Sequence, residues 1–139
     1  MKKALKFLLL VVIVFLAAVA LPWLMQPKDL VPWRTDFAAA REEARRANKP
    51  VFAYFTATWC GPCRELKRTL WSDPKTEAAL RDYVPVKVDI DANPALAGEY
   101  KVPETGIPLL VVLGDDGAVA KQWVGSGISG EGFADWLKK

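Results

Sequence analysis

Apolar residues are arranged along this chain in three different ways, and each arrangement implies a different element. From Phe7 to Met25 they form one run, broken only by Pro22 and free of charge. A terminal segment that is apolar on every face does not suit the half-buried helix of a small domain. Its length approaches the ~20 residues that a helix needs to cross a bilayer. Lys2, Lys3 and Lys6 precede the run, and Trp23 near its end suits a membrane interface. Residues 1–25 therefore read as a signal peptide or an N-terminal membrane anchor. Ala18-Val19-Ala20 offers a small-residue cleavage site, but Leu21 to Met25 stays apolar beyond it, which favours an uncleaved anchor. The lysines place the segment's start on the cytoplasmic side and everything after Met25 outside.

The second arrangement is the helical stripe. Asp36 caps a predicted helix with Phe37, Ala40, Ala44 and Ala47 on its apolar face, and Asn48 to Pro50 stops it. Leu66 and Leu70, four apart, mark a helix from the Cys60 region to about Trp71, ended by Asp73-Pro74. Shorter helices are predicted from Lys75 to Arg81 and from Asn93-Pro94 to near Tyr100. A last one runs from Glu131 to Leu137, with Phe133, Trp136 and Leu137 available for a core.

The third is the continuous β-prone run of a strand covered on both faces, Val51 to Ala57, with Val84 to Ile90 and Leu109 to Leu113 predicted as further strands. Ala118 to Val124 pairs with the last of these across Gly114-Asp115-Asp116-Gly117, which reads as a hairpin turn. The fold class is α/β, with a sheet flanked by helices. Pro27 and Pro32 mark residues 26–35 as a short, stiff linker, so the domain expected over 36–139 sits close to the membrane. Trp33 is assigned with Trp23 to the membrane interface and the other tryptophans, Trp59 apart, to packing.

Charge and composition narrow the function. The formal charge of +3 misleads, because residues 1–28 carry four lysines and no acid, leaving 15 basic against 16 acidic residues beyond. No basic stripe exists of the kind that displaces counterions from phosphates, so nucleic acid is excluded as a partner. With 52% hydrophobic residues, one domain with a proper core is expected.

The chain has two cysteines, in Trp59-Cys60-Gly61-Pro62-Cys63 at a strand-to-helix junction. Zinc usually takes four Cys and His ligands, and the chain has no histidine and no third cysteine. Covalent haem would need His after the second Cys, where Arg64 stands. A disulfide closing so short a loop constrains the unfolded chain little, so a purely structural staple is disfavoured. Thiol–disulfide exchange remains, with Gly61 and Pro62 expected to supply a permissive and a pre-set φ for the tight turn.

Together with Lys49-Pro50-Val51, Trp71-Ser72-Asp73-Pro74, Val86-Lys87-Val88-Asp89-Ile90-Asp91, Gly106-Ile107-Pro108 and Val124-Gly125, the cysteine motif resembles the thioredoxin superfamily. Within it the chain is similar to membrane-associated modules such as the exported C-terminal domain of the bacterial thiol:disulfide interchange protein. The resemblance implies a thioredoxin-like fold, a central mixed sheet between helices, preceded here by the N-terminal hydrophobic helix. It implies Cys60 as attacking and Cys63 as resolving thiol, and a cis bond at Ile107-Pro108. A helix N-terminus favours the Cys60 thiolate, and an X-Pro bond tolerates cis. Trp59, Gly61, Pro62, Ile107 and Pro108 are the implied substrate-binding residues.

Two positions depart from the pattern. Tyr54 stands where thioredoxins carry a buried acid, which leaves the proton acceptor open and Lys87 without its usual partner. Tyr54 can either bond through its hydroxyl or fill space, and the core-filling role is favoured. Leu109 follows the proline where Thr is common, which alters the apolar character of the substrate groove.

The expected function is an exported protein-disulfide reductase of the bacterial cell envelope, inner-membrane anchored and facing the periplasm, or periplasmic if the segment is cleaved. The Gly-Pro dipeptide is that of thioredoxin, whose potential near about −270 mV lies toward the reducing end. No flavin or nicotinamide fingerprint is present and no cofactor is expected. Electrons would come from a dithiol donor such as a membrane transporter, and the substrates would be disulfide-bearing envelope proteins. A reductase dedicated to cytochrome c maturation and a redox-silent binding or assembly module are the alternatives; a metallochaperone would need the histidine ligand that is missing.

Overall fold

In the computed structural model, which describes residues 1–25 and 27–139, the central strand is β1 (Val51–Thr56), buried along its whole length. Its side chains alternate across the sheet: Phe52 and Tyr54 join one core layer, Val51, Ala53 and Phe55 the other. That two-sided burial explains why the run reads as continuously apolar. β2 (Val84–Asp89) pairs with β1 in parallel, while β3 (Leu109–Leu113) pairs antiparallel on its other side and β4 (Val119–Val124) antiparallel beyond that, giving the order β2-β1-β3-β4. The sheet is mixed, as expected.

The flanking elements are α2 (Phe37–Ala47), α3 (Gly61–Thr69), α4 (Pro74–Ala79) with a single 3₁₀ turn after it, α5 (Pro94–Glu99), α6 (Val102–Thr105) and α7 (Gly130–Lys138). The Asp36 carboxylate accepts the Ala39 N–H as the N-cap of α2, and Asn48 ends that helix in the left-handed region. Ala40 and Ala44 of α2 pack on the layer that holds Phe55, and Phe133 and Leu137 of α7 on the layer that holds Tyr54. Trp136 is only partly buried at the margin of that second layer. In the hairpin, Gly117 takes the positive φ that the turn requires.

Four local expectations are corrected. α3 ends at Thr69 rather than near Trp71, because Trp71 turns inward and is 1% exposed. α6 was not foreseen.

The third and fourth corrections concern the expected linker. Gln26 lies outside the described residues, but Asp29 to Arg34 are docked on the domain. Val31 is buried in the Tyr54 layer, and the Leu30 N–H bonds to the Trp71 carbonyl. Arg34 bridges to Val86 along the outer edge of β2, and its guanidinium pairs with Glu43 of α2. Trp33 is not at a membrane interface. Its ring lies 5.0 Å from Trp71 and 5.5 Å from Tyr54, and its indole N–H bonds to Asp29. An aromatic side chain gains more from that contact than from staying wet.

α1 (Lys2–Leu24) contains Pro22 and buries none of its residues. It is the one helix among the described residues long and apolar enough to cross a membrane.

Candidate active site

The end of β1 delivers the chain through Ala57 to Trp59 into α3, whose N-cap is Cys60. The two cysteines form a disulfide, with Cα atoms 5.3 Å apart, and are only 3% and 4% exposed. Cys60 Sγ accepts the Cys63 N–H at 3.2 Å. That contact has a chemical consequence for the reduced form. A sulfur placed as the cap of a nine-residue helix receives a backbone donor and the positive end of the helix dipole, and both favour negative charge on Cys60. Cys63 lies one turn inside the helix, with Leu66 and Tyr54 in the same core layer.

The other expected site residues fall at the same end of the sheet. β3 runs antiparallel to β1 with Leu109 opposite Phe55, so Pro108, just before β3, comes to the end where β1 releases the cysteine loop. The Ile107-Pro108 bond is cis, and Ile107 packs against the layer containing both cysteines. Leu109 is 1% exposed on the opposite layer, so its side chain is core and does not line the surface beside Pro108. Trp59 stands 63% exposed, held by an indole N–H bond to Asp91 at 2.9 Å. Pro62 and Gly61 are exposed in the first turn of α3. Gly61 does not have a positive φ, and an added Cβ would meet nothing closer than Arg64 at 3.9 Å. Its expected role as a permissive turn residue is thus corrected: the turn is an ordinary helix start.

Tyr54 does more than fill space. Its ring packs 5.0 Å from Trp71, but its hydroxyl reaches the backbone carbonyl of Cys63 at 3.4 Å. Burial pushes its pKa above the usual tyrosine value, so the phenol stays protonated near neutrality. It cannot substitute for a carboxylate as proton acceptor there.

Behind the disulfide a cavity of about 510 Å³ opens between α3 and the β1–β2 edge, with Cys63, Tyr54 and Thr56 on its wall and Lys87 and Asp89 at its side. Lys87 makes no ion pair among the described residues. Asp89 and Asp91 were quoted in the sequence but given no task. The signal was available in the strand period, since Lys87 and Asp89 share the parity that puts them on the Tyr54 face.

A family profile described as thioredoxin-like matches residues 32–115, more than half of the chain. The chain belongs to the thioredoxin-like family. A thioredoxin-like protein of Synechocystis sp. is 35% identical over 95 residues, spanning 60% of this chain and 80% of that relative. The C-terminal domain of Neisseria meningitidis DsbD, in its oxidised form, is similar with a TM-score of 0.64 at 25% identity, over 76% of this chain and 97% of that domain. DsbH oxidoreductase shares the fold at 22% identity, with a TM-score of 0.69 over 81% of this chain and 85% of that one. The thioredoxin-like fold with its paired Cys60 and Cys63 makes this chain a thiol–disulfide oxidoreductase.

Proposed function

We propose that the chain is an exported, membrane-tethered reductase that opens disulfides in other envelope proteins. The observation that carries this reading is the pairing of a disulfide at a helix N-terminus with an apolar helix that buries none of its own residues. Such a helix finds its burial in lipid, and the lysines at its start direct the remainder of the chain outward. Disulfide exchange then takes place where disulfides persist. The similarity to the DsbD C-terminal domain supports the same chemistry.

In the proposed cycle the Cys60 thiolate attacks a substrate disulfide, forming a mixed disulfide and releasing one substrate thiolate. Cys63 then attacks Cys60 Sγ, releases the second substrate thiol and closes the internal disulfide. Electrons return from a dithiol donor, for which a membrane-embedded protein suits a tethered domain. Trp59, Gly61, Pro62, Ile107 and Pro108 form the surface on which an extended substrate segment lies, the last two offering backbone edges for it.

Fractionation tests the placement. The protein should remain in membranes after alkaline carbonate extraction, and after mild reduction its cysteines should react in intact cells with a membrane-impermeant maleimide. Recovery as a soluble protein with Leu21 at its N-terminus would replace the anchor by a cleaved signal. Labelling only after lysis would overturn export.

A further inference from the structure

The resolving step requires that Cys63 lose its proton, and Tyr54, buried and protonated, is not the acceptor. We propose that Asp89 takes this proton through the cavity behind Cys63. The cavity wall includes Cys63 on α3 and Asp89 at the end of β2, and Asp89 is the one carboxylate on that wall. Its cross-strand partner is Thr56, so the Thr56 hydroxyl and the Asp89 carboxylate share one face of the sheet beside the cavity. Asp89 Oδ1 accepts the Asp91 N–H at 2.9 Å, which fixes the carboxylate, and among the described residues no donor occupies Oδ2.

The route follows from burial. Cys63 is 4% exposed, and a substrate joined to Cys60 covers the side of the site where the substrate lies, so the cavity is the way out for its proton. A space of about 510 Å³ has room for several waters, each occupying about 30 Å³, and Thr56, Thr58, Lys87 and Asn93 on its otherwise mostly apolar wall offer them polar partners. The charged and titratable groups sharing it are Lys87 on β2, Arg64 and Lys67 on α3 and the Tyr54 phenol on β1, with Asp91 next to Asp89 in the loop. None of the three cations is in an ion pair among the described residues, and they favour the negative charge that develops on the Cys63 sulfur as its proton leaves.

The step balances. The Cys63 S–H proton passes by way of water to Asp89, the Cys63 sulfur forms a bond to Cys60 Sγ, and the bond from Cys60 to the substrate sulfur breaks, with its electron pair leaving on the substrate thiolate. Asp89 then gives its proton to solvent. This belongs to the exchange chemistry of the cysteine pair whatever partner brings the disulfide, so its failure would leave the exported-reductase reading standing.

The test is a single-turnover reaction of the reduced full-length protein, in detergent micelles, with no more than one equivalent of an aromatic disulfide such as dithiobis(nitrobenzoate), so that no second disulfide is left to capture Cys63. Release of the second aromatic thiolate reports resolution by Cys63. Asp89→Asn keeps an oxygen for the Asp91 N–H and should fold as the wild type does. At about pH 6 it should resolve at least about tenfold more slowly, a smaller effect than the ~10²–10⁴ of a base bonded directly to its proton. The two rates should converge above the pKa of the Cys63 thiol, where no base is needed, and Asp89→Glu should recover most of the rate at low pH. Equal rates at low pH, or slowing by the same factor at every pH, would overturn the assignment, since a purely structural defect acts without regard to protonation.

Discussion

The hydroxyl of Tyr54 donates a hydrogen bond to the carbonyl of Cys63, at 3.4 Å, from the strand position directly beneath the redox pair. An aromatic residue thereby ties β1 to the first turn of α3, so the frame around Cys63 is held by a neutral group. Removing the hydroxyl in Tyr54→Phe leaves the ring contacts with Trp33 and Trp71 in place. Because the bond is long, the expected loss is small, about 0.5–1 kcal/mol in urea unfolding of the oxidised protein. The rate of the first attack by Cys60 should not change, since that thiolate is stabilised by its helix terminus. A large fall in that rate would show that Tyr54 acts on Cys60 as well.

The same phenol sets an alkaline limit. Burial raises its pKa in the folded state above the unfolded value of about 10. Its contribution to stability is therefore fully present below the unfolded pKa and is lost as pH rises through the folded one. Above about pH 10 the wild type should lose stability more steeply than Tyr54→Phe, with a constant offset between them at lower pH. Tyr83 and Tyr100, also raised by burial, leave the variant some slope of its own. Parallel unfolding curves through the alkaline range would contradict the placement of the phenol.

Trp33 joins the segment after α1 to the core. Trp33→Ala removes contacts to Phe52, Tyr54 and Trp71, and should destabilise the domain by about 2–4 kcal/mol, toward the lower part of the range for large aromatic truncations because the ring is only partly buried. It should also raise amide exchange at Leu30 and Arg34, whose N–H groups bond to Trp71 and Pro85. Unchanged stability would return residues 29–34 to the status of a linker.

Trp59 calls for the opposite result. It is exposed and held by one bond to Asp91, so Trp59→Ala should change stability by less than about 0.5 kcal/mol. If its ring receives the substrate, kcat/KM for insulin reduction should fall several-fold, while the rate with a small aromatic disulfide changes little. Equal effects on both substrates would assign Trp59 to the chemistry of the thiol instead of to docking.

The strands were legible because β1 and β3 are covered on both faces and read as nearly unbroken apolar runs, while the edge strand β2 alternates Val84, Val86 and Val88 with Pro85, Lys87 and Asp89. The cysteine loop was legible because its residue types admit few uses. Trp33 was not, since the amphipathic chemistry that suits a tryptophan to a membrane interface also suits it to a partly buried edge, and the flanking prolines suggest a linker. α6 escaped because it has only four residues and begins after Lys101, whose left-handed φ of 54° no glycine or asparagine announces. The target of the Tyr54 hydroxyl depends on how α3 sits over β1, which no spacing along the chain encodes.

The division of labour between the two cysteines is tested most directly by covalent trapping. Full-length Cys63→Ala and Cys60→Ala are each reduced, freed of reductant and mixed with insulin, and the mixed disulfides are quantified on non-reducing gels after acid quenching. Cys63→Ala should accumulate a stable adduct through Cys60, since attack proceeds and resolution does not, while Cys60→Ala should trap little. Comparable trapping by both variants, or a preference for Cys60→Ala, would contradict the assignment of Cys60 as the attacking thiol.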